Sequence, residues 1–490
     1  MKKKLIENSL IYSGLQVLQG GVGFLLLPIY TRFLTPYDYG VVSVINALTA
    51  LLGVFYLMGL NGAAYRYYFD FREKPEELKR FWGTVITFLL AFSFILTLIL
   101  LFFGQSILHP FLGNIEYYPY MWIGIIGAAF VPLFTIYQSL QQAQHHGRKF
   151  GVVKLSNFIV LSVLTVIFII VFKLKATGVI LAAGLTSVLF FVFVLWDMRK
   201  QFNFSIDAKY LKKSLFYSLP IVPHSLTGWL SGWVDRLLIN RFVSTAAVGI
   251  YNVGYLFGGV LGFVNTAINQ AYGPWFYEEM KKNQTVKVKK FFILAMALYI
   301  TLALWISMFA KEALWAMTKG DFRESWKVVG LLSFGNIFGG YYYFLANQLF
   351  FSERGTRYIA LATISAALFG FLLNLILIQR YGMMGAAITM FITSILTVLF
   401  VGWFAQRIQP VDWDHLFVIK LFLINGLASI FTYYISVVSA LSLIWVLIMK
   451  ISIVLVCTYV NFYFCQKKIG DSEFLSKIFG LIKVQYSFSR

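Results

Sequence analysis

Charge is scarce in this chain and acid is scarcer still. Asp, Glu, Lys and Arg make up 12% of its 490 residues, and 20 carboxylates stand against 41 Lys and Arg. A soluble globular chain carries about a quarter charged residues, which excludes that class. Cysteine is nearly missing: the pair Cys457 and Cys465 builds no disulfide framework and gives no metal spacing. Histidine is also rare, and the adjacent His145 and His146 lack a third ligand. No GxxxxGK[ST] occurs, so ATP binding through a P-loop is excluded. No polar stretch is long enough to fold alone, which excludes a sizeable extramembrane catalytic domain.

What fills the chain instead is apolar: 59% of residues are hydrophobic, 19% are aromatic and the mean hydropathy is +0.76. Crossing a bilayer takes roughly 20 apolar residues per helix, because backbone polar groups in lipid pair only within the segment or in a closed barrel. On that measure the sequence predicts an all-α polytopic membrane protein of about fourteen spans. They fall near 9–30, 40–64, 82–103, 118–140, 152–172, 176–196, 215–239, 246–270, 290–310, 326–350, 358–378, 383–405, 416–437 and 442–464. The basic, then apolar, opening MKKKLIENSLIYSG resembles a signal peptide, but no small-residue cleavage site follows, so it is expected to stay as the first helix.

The net charge of +21 invites a nucleic-acid reading, and the placement of the cations removes it. Loops on the face of the N-terminus hold 29 Lys and Arg. The opposite face holds 10, namely Arg32, Lys173, Lys175, Arg236, Arg241, Lys311, Lys319, Arg323, Lys327 and Arg380, while Lys420 and Lys450 lie within helices. This is the positive-inside bias, with both termini cytoplasmic.

The chain also repeats itself. SLIYS at Ser9 answers to SLFYS at Ser214, RFLTPYDYG at Arg32 to RFVSTAAVG at Arg241, Gly147 with Lys149 to Gly355 with Arg357, and GVILAAGLTSVL at Gly178 to GAAITMFITSIL at Gly385. The offsets of 205 to 209 residues equal six spans, an even number, so the copies are parallel repeats. The expected domains are an N-lobe over 1–200, a C-lobe over 210–407 related to it by a pseudo-twofold along the membrane normal, two further spans over 412–465, and a cytoplasmic tail over 466–490. The tail is expected to form an amphipathic helix over 472–484.

Polar residues in lipid should face the bundle interior. On a 100° helical wheel, Tyr12, Gln16, Gln19, Gly23 and Tyr30 share one face of span one. His224, Thr227, Gly228, Ser231 and Asp235 share one in span seven; Asn252, Tyr255, Gly259, Thr266 and Gln270 in span eight; Asn336, Gly340, Tyr343 and Asn347 in span ten. Such stripes serve either as interhelical glue or as a cavity wall. As a wall, Gln16, Gln19, His224, Asn252, Gln270, Asn336 and Asn347 suit sugars. Arg32 and Arg241, at equivalent outer ends, and Arg66, at the inner end of span two, suit a diphosphate, with snorkelling to the interface as the alternative. Asp235, beside Pro220 and Pro223, either titrates or binds a coupling ion, or pairs with Arg241 or Arg32. Asp412-Trp413-Asp414 has the spacing of a metal nucleotide-sugar site, but its loop has no domain to hold a nucleotide.

LLLPIYTRFLTPYDYGVVSVINA, then YRYYFDF, then WVDRLLINRFVSTAAVGIYNVGYLFGGVL, resemble the polysaccharide-flippase (O-antigen flippase) branch of the multidrug/oligosaccharidyl-lipid/polysaccharide exporter (MOP) superfamily, across essentially the whole chain. The resemblance implies a V-shaped, two-lobed transporter, not an enzyme, in the bacterial inner membrane. It would carry an undecaprenyl-diphosphate-linked oligosaccharide to the outer leaflet by alternating access. No cofactor is implied beyond coupling to H+ or Na+. The expected partners are the lipid-linked oligosaccharide, membrane lipids, a polysaccharide polymerase and a chain-length regulator, with no nucleic acid. The related peptidoglycan-precursor flippases carry several cavity arginines that are missing from the inner parts of spans one, two and eight, which argues against lipid II. A drug/cation antiporter of the same superfamily is the alternative, and a membrane polysaccharide polymerase or ligase the alternative from another class.

Overall fold

The computed structural model describes residue 14, residue 24 and residues 26–352, 355–438 and 442–470. Gln16, Gln19 and the tail helix expected over 472–484 lie outside the described residues. All regular structure among the described residues is helical. Helix α1 covers 26–33, and there follow α2 (Pro36–Leu57), α3 (Leu60–Phe71), α4 (Pro75–Leu112), α5 (Trp122–Ala143), α6 (Gly147–Ile170), α7 (Lys175–Met198) and α8 (Ala208–Ser218). Then come α9 (Val222–Phe242), α10 (Thr245–Gly258), α11 (Val260–Lys281), α12 (Thr285–Met317), α13 (Trp326–Phe350), α14 (Gly355–Tyr381), α15 (Met383–Ile408), α16 (His415–Val438) and α17 (Leu443–Ile469).

Twelve segments among the described residues are long and apolar enough to cross a membrane, and each overlaps one predicted span. Span one falls mostly outside the described residues. Span seven corresponds to α9, which is helical but is not one of the twelve. A short 3-10 turn at Leu219–Ile221 separates α8 from α9 within span seven. It follows from Pro220, which has no N–H to give a continuing α-helix. The tight join between α14 and α15 is made by Gly382 at φ +57°, a left-handed conformation that a side chain would strain.

The resemblance motif RFLTPYDYG has a local structural meaning. Thr35 caps α2 by accepting from the Asp38 N–H at 3.1 Å, and the Asp38 carboxylate accepts from the Thr35 N–H at 3.0 Å, with Pro36 at the first helical position. This is a capping box, in which two otherwise orphaned donors are satisfied reciprocally. Its repeat counterpart, RFVSTAAVG, caps α10 with Ser244, whose hydroxyl accepts from the Ala247 N–H at 3.1 Å.

The chain divides into two compact units: Met1–Phe257 with Ala313–Val328 and Ala360–Thr393, and Gly258–Glu312 with Val329–Ile359 and Ser394–Arg490. In the first, Phe81, Trp82, Leu133, Tyr137, Phe190 and Met198 form a buried core between α4, α5 and α7. In the second, α12, α16 and α17 are joined by polar contacts as well as apolar ones. Asn461 donates to Asn425 at 3.1 Å and to Thr301 at 2.9 Å, and the hydroxyls of Ser307 and Ser429 lie 2.6 Å apart. Interhelical hydrogen bonds of this kind hold membrane helices where no hydrophobic force acts between them.

Candidate functional site

A buried polar cluster of the first unit lies where α9 meets α10. Asp235 and Arg236 form an ion pair of 2.7 Å, with the arginine side chain 3% exposed and the aspartate 13%. Oδ1 of Asp235 also accepts from the Arg236 backbone N–H at 2.9 Å, and Oδ2 accepts from the Tyr251 hydroxyl at 2.6 Å. The guanidinium donates to the Gly232 carbonyl at 2.7 Å and to Asn252 Oδ1 at 3.4 Å. Three rings surround it: Tyr255 at 4.2 Å, Trp233 at 5.2 Å and Tyr251 at 5.8 Å. Tyr251 and Tyr255 are four residues apart and so project from one face of α10. A buried cation is retained only with such a carboxylate, carbonyl and aromatic set around it.

The arrangement changes two sequence readings. The partner of Asp235 is Arg236, not Arg241 or Arg32. Arg236 itself is not an outer-loop cation: α9 continues to Phe242 and carries it within the helix. Arg32 and Arg241 are both exposed and without a carboxylate partner among the described residues. Arg66 is exposed in the middle of α3, which continues to Phe71, and not at a helix end as the sequence suggested; it is bound to Asp70 at 2.7 Å, which also meets Lys213 of α8 at 3.5 Å.

The predicted sugar-facing residues separate into two groups. His224 is exposed on α9, Gln270 is exposed on α11, and Asn252 belongs to the Arg236 cage. Asn336 and Asn347 instead tie helices within the second unit. Asn336 donates to the Gly258 carbonyl at 3.3 Å, and its own carbonyl accepts from Asn265 at 2.7 Å. Asn347 donates to Asn269 at 2.8 Å and accepts from the Tyr277 hydroxyl at 3.3 Å. These two are interhelical glue in this structure.

Asp412-Trp413-Asp414 forms a clasp. Asp412 binds Lys289 at 2.6 Å, Asp414 binds Lys468 at 2.8 Å and caps α16 through the Phe417 N–H at 3.1 Å. Buried Trp413 between them donates to Gln348 at 2.7 Å. Burial raises the Asp414 carboxyl, but Lys468, the Phe417 N–H and Lys289 outweigh it and hold its pKa below the usual carboxylate value. Lysine occupies the place a metal would need on each carboxylate. No group of three metal-ligating residues occurs among the described residues.

Sequence reasoning missed a second buried ion pair, Lys450 of α17 with Glu312 of α12 at 2.7 Å, the lysine 2% exposed. Lys450 was legible only as a cation inside a span.

The architecture is that of a multi-span helical membrane protein. The chain aligns with the lipid II flippase MurJ in an inward closed conformation at a TM-score of 0.69 and 16% identity, covering 93% of this chain and 100% of that one. It aligns with an inward-facing multidrug resistance transporter of the MATE family at 0.58 and 15% identity, covering 81% and 94%. The class is therefore a multi-span helical membrane protein with the fold of these two structures. A Shigella flexneri protein named "Putative O-antigen transporter" is 23% identical over 395 residues, 78% of this chain and 92% of its own. The polysaccharide biosynthesis protein family matches residues 5–280, more than half of the sequence, and the chain belongs to that family.

Proposed function

We propose that this protein is a flippase that moves an undecaprenyl-diphosphate-linked oligosaccharide, an O-antigen, capsule or exopolysaccharide repeat unit, from the inner to the outer leaflet of the bacterial plasma membrane. The observation that carries the reading is the joining of a polysaccharide-biosynthesis family to a transporter fold in which short connections link the helices. A polymerase or ligase needs an extramembrane loop large enough to carry catalytic groups.

In this reading two six-helix lobes over 1–200 and 210–407 alternate access, both termini face the cytoplasm, and the spans over 412–465 are additions. The repeat-equivalent starts of α2 and α10 support the pseudo-twofold, because they meet reciprocally. A Cβ on Gly40 would fall within 3.0 Å of the Thr245 carbonyl, and one on Gly249 would fall within 3.0 Å of the Pro36 carbonyl. With the 209-residue offset, Gly40 corresponds to Gly249 and Pro36 to Thr245, so the same pair of positions touches twice.

Asp235 is the coupling group. In the present geometry its charge is spent on Arg236 and Tyr251; drawing Asp235 away to a coupling ion leaves Arg236 seeking an anion, which a lipid diphosphate supplies. Arg32 and Arg241 near helix ends and Arg66 within α3 add phosphate contacts, and His224, Asn252 and Gln270 face the glycan. Deletion should leave the lipid-linked oligosaccharide on the inner leaflet, with restoration by wild type and not by Asp235→Asn at matched expression. If deletion changes only sensitivity to cationic drugs, with glycan export intact, the antiporter reading replaces this one.

A further inference from the structure

The sixth and twelfth predicted spans close on similar words, Trp196-Asp197-Met198-Arg199 in α7 and Trp403-Phe404-Ala405-Gln406-Arg407 in α15, 207 to 208 residues apart. In each, a guanidinium lies over an exposed indole, Arg199 at 4.6 Å from the Trp196 ring centre and Arg407 at 3.7 Å from that of Trp403. The two copies differ in what surrounds this pair. In the first, Asp197 binds Lys149 at 2.7 Å, so one cation is cancelled. In the second, the counterpart of Lys149 is Arg357, but the position of Asp197 is taken by Phe404.

Phe404 packs on Tyr358 at 4.7 Å and on Trp403 at 4.7 Å between ring centres. The result is an aromatic shelf with Arg407 over Trp403 and Arg357 next to Tyr358 in sequence, both arginines exposed and neither paired with a carboxylate among the described residues. Trp403 is 50% exposed and Tyr358 37%. The shelf stands where α14 begins and α15 ends, and the ends of membrane-spanning helices are where Trp and Tyr concentrate, at headgroup level. A guanidinium held flat on an indole keeps its planar fork free for bidentate contact with a phosphate.

We propose that Arg357, Tyr358, Trp403, Phe404 and Arg407 form a binding site for the headgroup phosphate of a resident anionic phospholipid, and that the equivalent place in the first half lacks this capacity because Asp197 neutralises it. The site is independent of what the protein transports.

The test is native mass spectrometry of the full-length protein released from nanodiscs of mixed phosphatidylglycerol and phosphatidylcholine. Wild type should retain phosphatidylglycerol selectively, and Arg357→Gln and Arg407→Gln should each lower retention about fivefold, the effect of one cation near an anionic surface. Arg407→Lys, which keeps the charge and loses the fork, should fall between, and Phe404→Asp, which restores the acid of the first half, should abolish selectivity. Arg199→Gln serves as the control and should leave retention unchanged. Equal retention of the two lipids, an unaffected Arg357→Gln/Arg407→Gln double variant, or an equal loss in Arg199→Gln would overturn the proposal. Capture of polyprenyl diphosphate alone would assign the shelf to substrate and overturn it too.

Discussion

The reciprocal crossing of α2 and α10 makes a prediction with a built-in control. Gly40→Ala places a methyl within 3.0 Å of the Thr245 carbonyl, and Gly249→Ala places one within 3.0 Å of that of Pro36. Neither carbonyl can yield alone, since each lies in the first turn of a capped helix. The helices must separate by roughly 1.5 Å to reach ordinary contact. Overpacking of this kind costs about 1–3 kcal/mol, equivalent to roughly 5- to 150-fold in the folded ratio. One separation relieves both clashes, so the double variant should cost clearly less than the sum of the singles, a coupling of about 1 kcal/mol or more. Gly53→Ala on the same helix meets nothing within 4 Å and should be neutral or stabilising by up to about 1 kcal/mol through helix propensity. Unfolding of the purified variants in detergent, followed by tryptophan fluorescence, reads all four. Additive costs, or a Gly40→Ala as stable as Gly53→Ala, would refute the reasoning.

Other outcomes follow from the charged sites. Arg236→Met strands the Asp235 carboxylate and should lower stability by about 3–5 kcal/mol, while Arg236→Met with Asp235→Leu should recover most of it; folded yield from membranes checks this. Asp414 has a depressed folded pKa, so its stabilisation is present above the unfolded carboxylate value and is lost as pH falls through the folded one. Unfolding measured against pH should therefore show an acid-side loss that is reduced in Asp414→Asn. For topology, cysteines introduced as Glu76→Cys and Asn114→Cys, in a chain lacking Cys457 and Cys465, should label oppositely with an impermeant thiol reagent in whole cells. Only Asn114→Cys should react from outside, and the reverse pattern would invert the model.

Helix positions were legible in the sequence because apolar length is a physical requirement of the bilayer and survives without any tertiary knowledge. The site was less legible. Asp235 was found as a costly acid on a polar face, but its partner was sought at helix ends because neighbours in sequence do not share a helix face. Arg236 reaches back because Tyr251, Asn252 and Tyr255 of α10 enclose it, and that enclosure comes from helix packing. Tyr251 and Tyr255 beside Asn252 were the available signal. The pair of Lys450 with Glu312, 138 residues apart, leaves no local pattern. Asn336 and Asn347 show the converse: a polar stripe identifies a buried face, but whether it lines a cavity or ties two helices depends on the neighbour.

The central claim is that this chain carries a lipid-linked glycan across the bilayer. The most direct measurement is translocation by the purified protein in proteoliposomes loaded with a fluorescent undecaprenyl-diphosphate-linked oligosaccharide, read as the fraction that a membrane-impermeant reductant quenches from outside. Starting from label confined to the inner leaflet, wild type should expose it over time, faster with an imposed ion gradient, and Asp235→Asn should not. Label that stays protected with wild type as it does in empty liposomes, under H+ and Na+ gradients of either direction, would contradict the account.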